Sequence, residues 1–255
     1  MPALYEQWLV PTTFRPFAVE LAQRAAARRP KRILELAAGT GVLTREVLDV
    51  LPEAVVTATD LNAAMVSAGR DHEPRASWRQ ANAMELPFEH GEFDLVACQF
   101  GMMFFPDKPA AFAEARRVLA PGGTFLASTW AELEGHWFEA AFTDALARVF
   151  PDDPPTFLAT LPHGYTDPDR VAADVTAGGF SSVEVDRVTL TGVAESTAGL
   201  AGGYCRGTPV RAELEARGDL ERLVPLVARE VEAALGPGPV SGAITAYVVV
   251  AEARH

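Results

Sequence analysis

Carboxylates and glycines set at fixed distances are the residues of this chain best placed to do chemistry. Glu35-Leu-Ala-Ala-Gly39-Thr-Gly41 stands where a short apolar run, KRILELA, gives way to a helical pattern. Glycines at such a turn let the backbone close tightly and approach a ligand, and the helix that follows offers free N–H groups. Asp60 closes the next apolar run, nineteen residues after Gly41. A carboxylate at that position can accept both hydroxyls of a ribose. Each feature alone has a plain structural explanation, a strand-to-helix turn or a helix N-cap. On consecutive strand ends of one βαβ unit, the two together point to an adenosine-type ligand. Asn82-Ala83 and Gln99-Phe100-Gly101 end two further strands, and an amide at Asn82 can read an adenine edge. Four strand ends thus aim polar or glycine-rich tips at one crevice.

Other reactive types are sparse. His136 and His163 are the histidines that border the crevice segments, and they are the candidates for a general base. His72 and His90 fall in loops and His255 is terminal. No His, Cys, Asp or Glu set has metal-ligand spacing, so no metal is expected. Cys98 and Cys205 cannot build a disulfide scaffold, which suits a reducing, cytoplasmic setting. Cys98 falls inside a strand, where it is expected buried and inert.

The elements that must position these groups follow from hydrophobic period. Residues 12–29 predict a helix ended by Pro30, with Arg24, Arg28 and Arg29 near its carbonyl end. Strands are expected over KRILELA, AVVTATD, 75–80, FDLVACQF and GGTFLASTW, with helices over 42–51, 63–70 and 108–119 between them. Asn62 is placed to cap the second of these helices. Strand–helix alternation indicates a parallel sheet. Beyond 131 the rhythm changes: helical material and a proline-rich loop fill 133–178, strands return at 182–190 and 243–251, and a helical insert covers 195–235. The expected organisation is a helical lid at 1–30, a nucleotide-binding core at 31–130, and helical inserts with the final strands at 131–255, all in a single domain.

Composition agrees. The chain has 255 residues, 49% of them hydrophobic and 22% charged, which excludes disorder, and no apolar run reaches the ~18 residues of a membrane span. The N-terminal residues show no signal-peptide pattern. A net charge of −12 argues against a nucleic-acid partner.

The successive segments ILELAAGTG, ATD, QANAMELPF, FDLVACQFGMMFF and RRVLAPGG resemble the motifs of class I S-adenosylmethionine-dependent methyltransferases. The nearest likeness is to the ubiquinone/menaquinone-biosynthesis-like small-molecule group. The resemblance is specific over 31–130 and looser in HGYTDPDRVAADVTAGGF and the last strand. It implies a Rossmann-like, doubly wound sheet of seven strands, mostly parallel with the last antiparallel, and helical inserts forming a lid. It implies S-adenosylmethionine as cofactor and S-adenosylhomocysteine as product. Glu35 with the turn Ala37–Gly41, Gly39 included, would cradle the methionine part, and Asp60 would hold the ribose. Leu61 and Met65 would lie against the adenine, and Asn82 and Ala83 at its amine and ring. Gln99 would lie beneath the methionine end, with Phe100 and Met103 nearby. Many relatives carry a glycine where Ala38 stands, a change of small steric cost.

Methyl transfer from a sulfonium is an in-line displacement, so the protein mainly positions the acceptor and excludes water. Tyr5, Trp8, Phe14, Met103, Trp130, Trp137, Tyr165 and Tyr204 are the candidates for the acceptor pocket; the aromatic N-terminal residues serve equally well as an apolar packing stripe. Partners are expected to be a small-molecule acceptor and either no second subunit or a second copy of the chain. Two other classes share the glycine turn and strand-end carboxylate. An NAD-dependent oxidoreductase would call for a third glycine, where Thr44 stands, and usually a Tyr-x-x-x-Lys pair, which neither Lys31 nor Lys108 makes. A non-catalytic S-adenosylmethionine-binding protein would carry the same motifs.

Overall fold

The computed structural model describes residues 2–253, so His255 lies outside the described residues. Seven strands are present: β1 (Arg32–Glu35), β2 (Val55–Asp60), β3 (Ser77–Gln80), β4 (Phe93–Gln99), β5 (Leu119–Trp130), β6 (Ser182–Ala194) and β7 (Val240–Glu252). They form one sheet in the order β3-β2-β1-β4-β5-β7-β6. β1 pairs in parallel with β2 and β4, β2 with β3, and β4 with β5. β7 runs antiparallel to β5, with Thr124 opposite Glu252 and Trp130 opposite Ala246. This is the expected Rossmann-like sheet with a reversed last strand.

The central strands read as apolar runs because both faces are covered; Leu95 to Cys98 are buried at every position. The edges are blunted differently. β3 is only four residues long, and β6 carries exposed charges at Glu184, Asp186 and Arg187 between half-buried residues, two devices that discourage further strand pairing.

The chain divides into two compact units. The sheet unit holds Phe17–Trp130, Tyr165–Val188 and the chain from Ala246; the helical unit holds the chain to Pro16, Ala131–Gly164 and Thr189–Thr245. In the sheet unit, the helix Lys108–Val118 starts on an Asp107 cap and packs on β5 and on the helix Pro168–Ala177. Phe112, Phe125 and Phe180 join these layers at centroid separations of 5.6 and 5.5 Å. Asn62 caps the helix Ala63–His72, its side chain accepting from Ala64 N at 2.9 Å.

The helical unit departs from expectation at its start. Helix begins before residue 12: Tyr5–Phe14 winds in wide turns and leads into Arg15–Arg28. Pro11 has no N–H to give to a normal turn, and the wider winding goes around it, with Arg15 N donating to Val10 O. The insert over 195–235 is three helices, Thr197–Gly207, Val210–Arg217 and Leu220–Leu235. Gly199 and Gly203, one turn apart on the first of them, seat the Trp8 ring where a Cβ would collide with it. Among the described residues, no helix is long and apolar enough to cross a membrane.

Candidate functional site

The strand order reverses between β1 and β4, and ligands of open α/β sheets bind outside the carboxyl ends of the strands at such a point. The turn after β1 has an unusual backbone. Ala37, Gly39 and Gly41 all have positive φ, at 52°, 57° and 86°. Gly41 has a second reason to be glycine, since a Cβ there would lie 2.8 Å from the Trp78 ring. Asp60 ties the turn to β2: one carboxylate oxygen accepts from Gly39 N at 2.9 Å and the other from Asn62 N at 2.8 Å. An ionised carboxylate has about four acceptor sites, so roughly two remain for a ligand.

A cavity of about 330 Å³ opens at this edge. Of the residues assigned to the cofactor, it brings together Ala37, Asp60, Leu61, Asn82, Ala83 and Phe100. Glu35, Gly39, Gly41, Met65 and Gln99 do not border it. Gly101, which ends the fourth strand's tip in the sequence, also lines it, whereas sequence reasoning passed over Met84, Phe104, Phe105 and Pro106 in its wall; the run GMMFFP directly after a strand end was the available signal. Three non-glycine residues in the described chain have φ in the left-handed region, and two of them, Ala37 and Phe100, line this cavity. Each such residue costs about 1–3 kcal/mol, and such costs gather at functional sites. Asn82 is partly committed, because its side-chain oxygen accepts from Met84 N at 3.1 Å. Its NH₂ and the second lone pair of its oxygen remain to meet a ligand edge.

Glu35 lies beneath the turn with its carboxyl fully buried. Burial pushes it up to about 8, against the opposing pull of the Thr44 hydroxyl and Arg45. Thr44, notable in the sequence for not being glycine, donates to Glu35 at 2.5 Å. Cys98 is buried and its thiol is pushed up to about 12 by burial.

A larger cleft, about 440 Å³, opens among Arg28, Arg29, Lys31, Asp94 and the loop 120–124, at the amino ends of the parallel strands. Two of its charges, Arg28 and Asp94, already serve the backbone. Arg28 donates to Arg24 O at 2.7 Å, and Asp94 accepts from the main-chain N–H groups of Lys31 and Arg32. The smaller cavity, at the carboxyl edge, is the one that lies where open α/β sheets bind their ligands.

The two histidine candidates meet in the helical unit. His163 donates from Nδ1 to Ala131 O at 2.7 Å and from Nε2 to Glu139, so both ring nitrogens face acceptors. Tyr204 donates to the other Glu139 oxygen at 3.2 Å, and His136 Nε2 lies 3.9 Å from it. Burial would raise the Glu139 carboxyl, but the two histidines and the hydrogen bonds from His163 and Tyr204 hold it down at about 2. Burial lowers His163, but Glu139, the Ala131 carbonyl and Glu134 together raise it further, so its imidazolium is favoured; His136 is lowered by burial. The signal for this group was His136-x-x-Glu139, one helical turn apart.

The remaining pocket candidates are scattered. Tyr204 is 1% exposed and held inside this cluster. Tyr165 is buried, donates to Asp174 at 2.8 Å, and carries Lys108 Nζ over its ring at 4.7 Å. Trp130 is buried under Phe100, and Met103 is buried in the short helical turn Met102–Phe104 that follows β4. Tyr5 and Phe14 pack on each other at 4.9 Å, Trp8 lies on Gly199 and Gly203, and Trp137 stays partly exposed over Gly242. Among the described residues no group of three or more His, Cys, Asp or Glu side chains is arranged to hold a metal ion.

Comparison with known proteins gives this geometry its context. A family profile described as "Methyltransferase domain" matches residues 33–123, inside the sheet unit. The chain is 30% identical over 180 residues to the ubiquinone/menaquinone biosynthesis C-methyltransferase UbiE of Dinoroseobacter shibae, covering 65% of this chain and 72% of that one. It is 35% identical over 159 residues to a malonyl-[acyl-carrier protein] O-methyltransferase of Geobacter sulfurreducens, covering 61% and 58%. Among solved structures, the YcgJ protein of Bacillus subtilis superposes with a TM-score of 0.60 at 18% identity, covering 94% of this chain and 99% of that one. The [4+2]-cyclase SpnF also superposes, at 0.56 and 16%, covering 93% and 82%. Since a cyclase shares the fold, shape alone does not name the chemistry; the sequence relatives do, and they give no support to the oxidoreductase or the non-catalytic binder. On these matches and motifs, the chain belongs to the class I S-adenosylmethionine-dependent methyltransferases, in their ubiquinone/menaquinone-biosynthesis-like group, as a small-molecule methyltransferase with S-adenosylmethionine as its methyl donor.

Proposed function

We propose that the cavity at the carboxyl ends of β1, β2 and β4 holds S-adenosylmethionine, with Asp60 on the ribose hydroxyls and Leu61, Asn82 and Ala83 around the purine. The observation that carries this reading is the Asp60 carboxylate. It is fixed by two backbone N–H groups and lines a cavity whose wall includes two residues in the left-handed conformation. The residues present fit the group. Two acceptor sites remain on Asp60 for two hydroxyls. Apolar Leu61, Met84 and Phe104 suit a flat purine.

When bound, the cofactor supplies an electrophilic methyl group and its own leaving group. The chain's part is to bind, orient and exclude water. Glu35 holds a proton below about pH 8; a cationic amine brought beside it would favour its ionised form and release that proton. The methyl acceptor is a small molecule, a reading supported by relatives named as a ubiquinone/menaquinone biosynthesis C-methyltransferase and a malonyl-[acyl-carrier protein] O-methyltransferase.

Calorimetric titration with S-adenosylmethionine and S-adenosylhomocysteine, with NAD as control, tests the assignment. Saturable binding of the sulfonium pair, weakened about 100-fold or more in Asp60→Ala by loss of two charge-assisted hydrogen bonds, is the expected result. Equal affinity in the variant would remove Asp60 from the site. Repeating the titration in buffers of different ionisation enthalpy reads the proton released at Glu35.

A further inference from the structure

Three aromatic rings of the sheet unit form one stack behind the cavity. Phe100 lines the cavity and lies nearly face to face with Trp130, centroids 3.5 Å apart and planes within 12°. Phe17 stands edge-on to both, 5.4 Å from Phe100 and 5.6 Å from Trp130. The rings come from three elements: the helix Arg15–Arg28, the end of β4 and the end of β5. Phe17 and Trp130 are buried and border no part of the cavity.

Phe100 has a φ of 51°. In that conformation Cβ crowds the carbonyl of its own residue, and bulky side chains avoid it. It persists only where the surroundings over-determine it. Here Phe100 N donates to Ser128 O at 3.1 Å, and the two rings hold the side chain. The consequence lies in the next residues. The chain leaves β4 so that Gly101 packs against Ala37 with no room for a Cβ between them. The following turn is closed by Phe104 N to Gly101 O at 3.0 Å and Phe105 N to Met102 O at 3.2 Å. Ala37, Gly101, Phe104 and Phe105 are cavity wall.

We propose that Trp130 and Phe17 are positioning residues for the cofactor site: their rings clamp Phe100 in its left-handed conformation and so set the wall that Phe100 and Gly101 build against Ala37. The clamp rests on the reading of this cavity as the cofactor site, and one of its two readouts needs no ligand. Ordinary core packing predicts something different: lost stability on truncation, with no dependence on the backbone of Phe100.

Glycine enters the left-handed region freely and needs no clamp, so Phe100→Gly separates the two cases. The full chain is compared as wild type, Trp130→Leu, Trp130→Phe, Phe100→Gly and Phe100→Gly/Trp130→Leu, well below the unfolding temperature. Amide hydrogen exchange at Phe104 and Phe105 reads the wall, and calorimetry reads the affinity for S-adenosylhomocysteine. Trp130→Leu should speed exchange at both amides and weaken binding about tenfold. Trp130→Phe, which keeps a ring on Phe100, should stay within about twofold of wild type on both readouts, and the double variant should be no worse than Phe100→Gly alone. Unchanged exchange in Trp130→Leu overturns the clamp, as do effects that multiply in the double variant as independent losses would. If exchange follows the expected pattern while wild type fails to bind S-adenosylhomocysteine, the clamp stands and the cofactor reading falls. Should Trp130→Leu fail to fold, Phe17→Leu replaces it in the cycle with an expected loss of about threefold.

Discussion

Two glutamates of this protein, one in each unit, are almost equally buried and titrate in opposite directions. Glu35, in the sheet unit, is 3% exposed, and so is Glu139 in the helical unit. Burial opposes the charged form of both. Glu35 has a neutral hydroxyl, Thr44, as its hydrogen-bond partner, and it is pushed up to about 8. Glu139 has His163, Tyr204 and His136 around it, and it is held down at about 2. Burial sets the penalty for a charge, and the charge of the partners decides whether it is met. The two sites therefore store their protons differently. Glu35 is a neutral acid ready to ionise beside a cation, and Glu139 is a fixed anion that locks a helix, a loop and a second helix of its own unit.

Breaking the ion pair should have the largest effect. Glu139→Gln leaves the His163 imidazolium without its carboxylate, and removing one partner of a buried pair costs about 3–5 kcal/mol. Urea unfolding at pH 7 reads it, and a loss below about 1 kcal/mol would mean that Glu139 is not an anion in the folded protein. The same variant should lose the acid limb of stability. A depressed carboxyl contributes stability that is present above its unfolded value of about 4.5 and lost as pH falls through about 2.

Glu35→Gln sharpens the contrast, since its effect depends on pH with the opposite sign. Between about 4.5 and about 8 the folded protein keeps a proton on Glu35 that the unfolded chain has released. Its contribution to stability is complete below 4.5 and is lost as pH rises through 8, at up to about 1.4 kcal/mol per pH unit. The variant should match wild type within about 1 kcal/mol at pH 5 and exceed it by on the order of 3 kcal/mol at pH 8. Parallel stability curves for the two proteins would show that Glu35 is ionised throughout. The smallest expected effect is that of Tyr204→Phe. It removes one hydrogen bond to Glu139, costs about 1 kcal/mol and moves the Glu139 carboxyl upward, which the acid limb of the unfolding curve reports.

Local chemistry made part of this legible. Asp60 and the glycine turn could be found because a strand end followed by glycines, with an acid one βα unit later, is a backbone pattern with few other uses. Asn62 as a cap follows from its own preference for that position. The wall residues Phe104 to Pro106 were missed because a short turn after a strand has no period to reveal which side chains face a cavity. Thr44 stood out only as a missing glycine, although its hydroxyl is the partner that Glu35 needs. His136 and His163 were singled out as possible bases, and Glu139, which joins them, was not. Twenty-four residues separate Glu139 from His163, and no spacing rule connects them.

What the sequence determined by itself is what is local or periodic: strands from apolar runs, helices from their stripes and caps, the glycine turn, the strand-end carboxylate Asp60, and through them the family and its cofactor. What only the tertiary structure decided is what depends on neighbours distant along the chain. That includes the opposite ionisation of two equally buried glutamates, the φ of Phe100 beneath Trp130, and the commitment of Tyr204 to a carboxylate rather than to an open pocket. The physical reason is that desolvation, partner charge and backbone strain are properties of a place in the fold, and a residue's type states only what it would do in water.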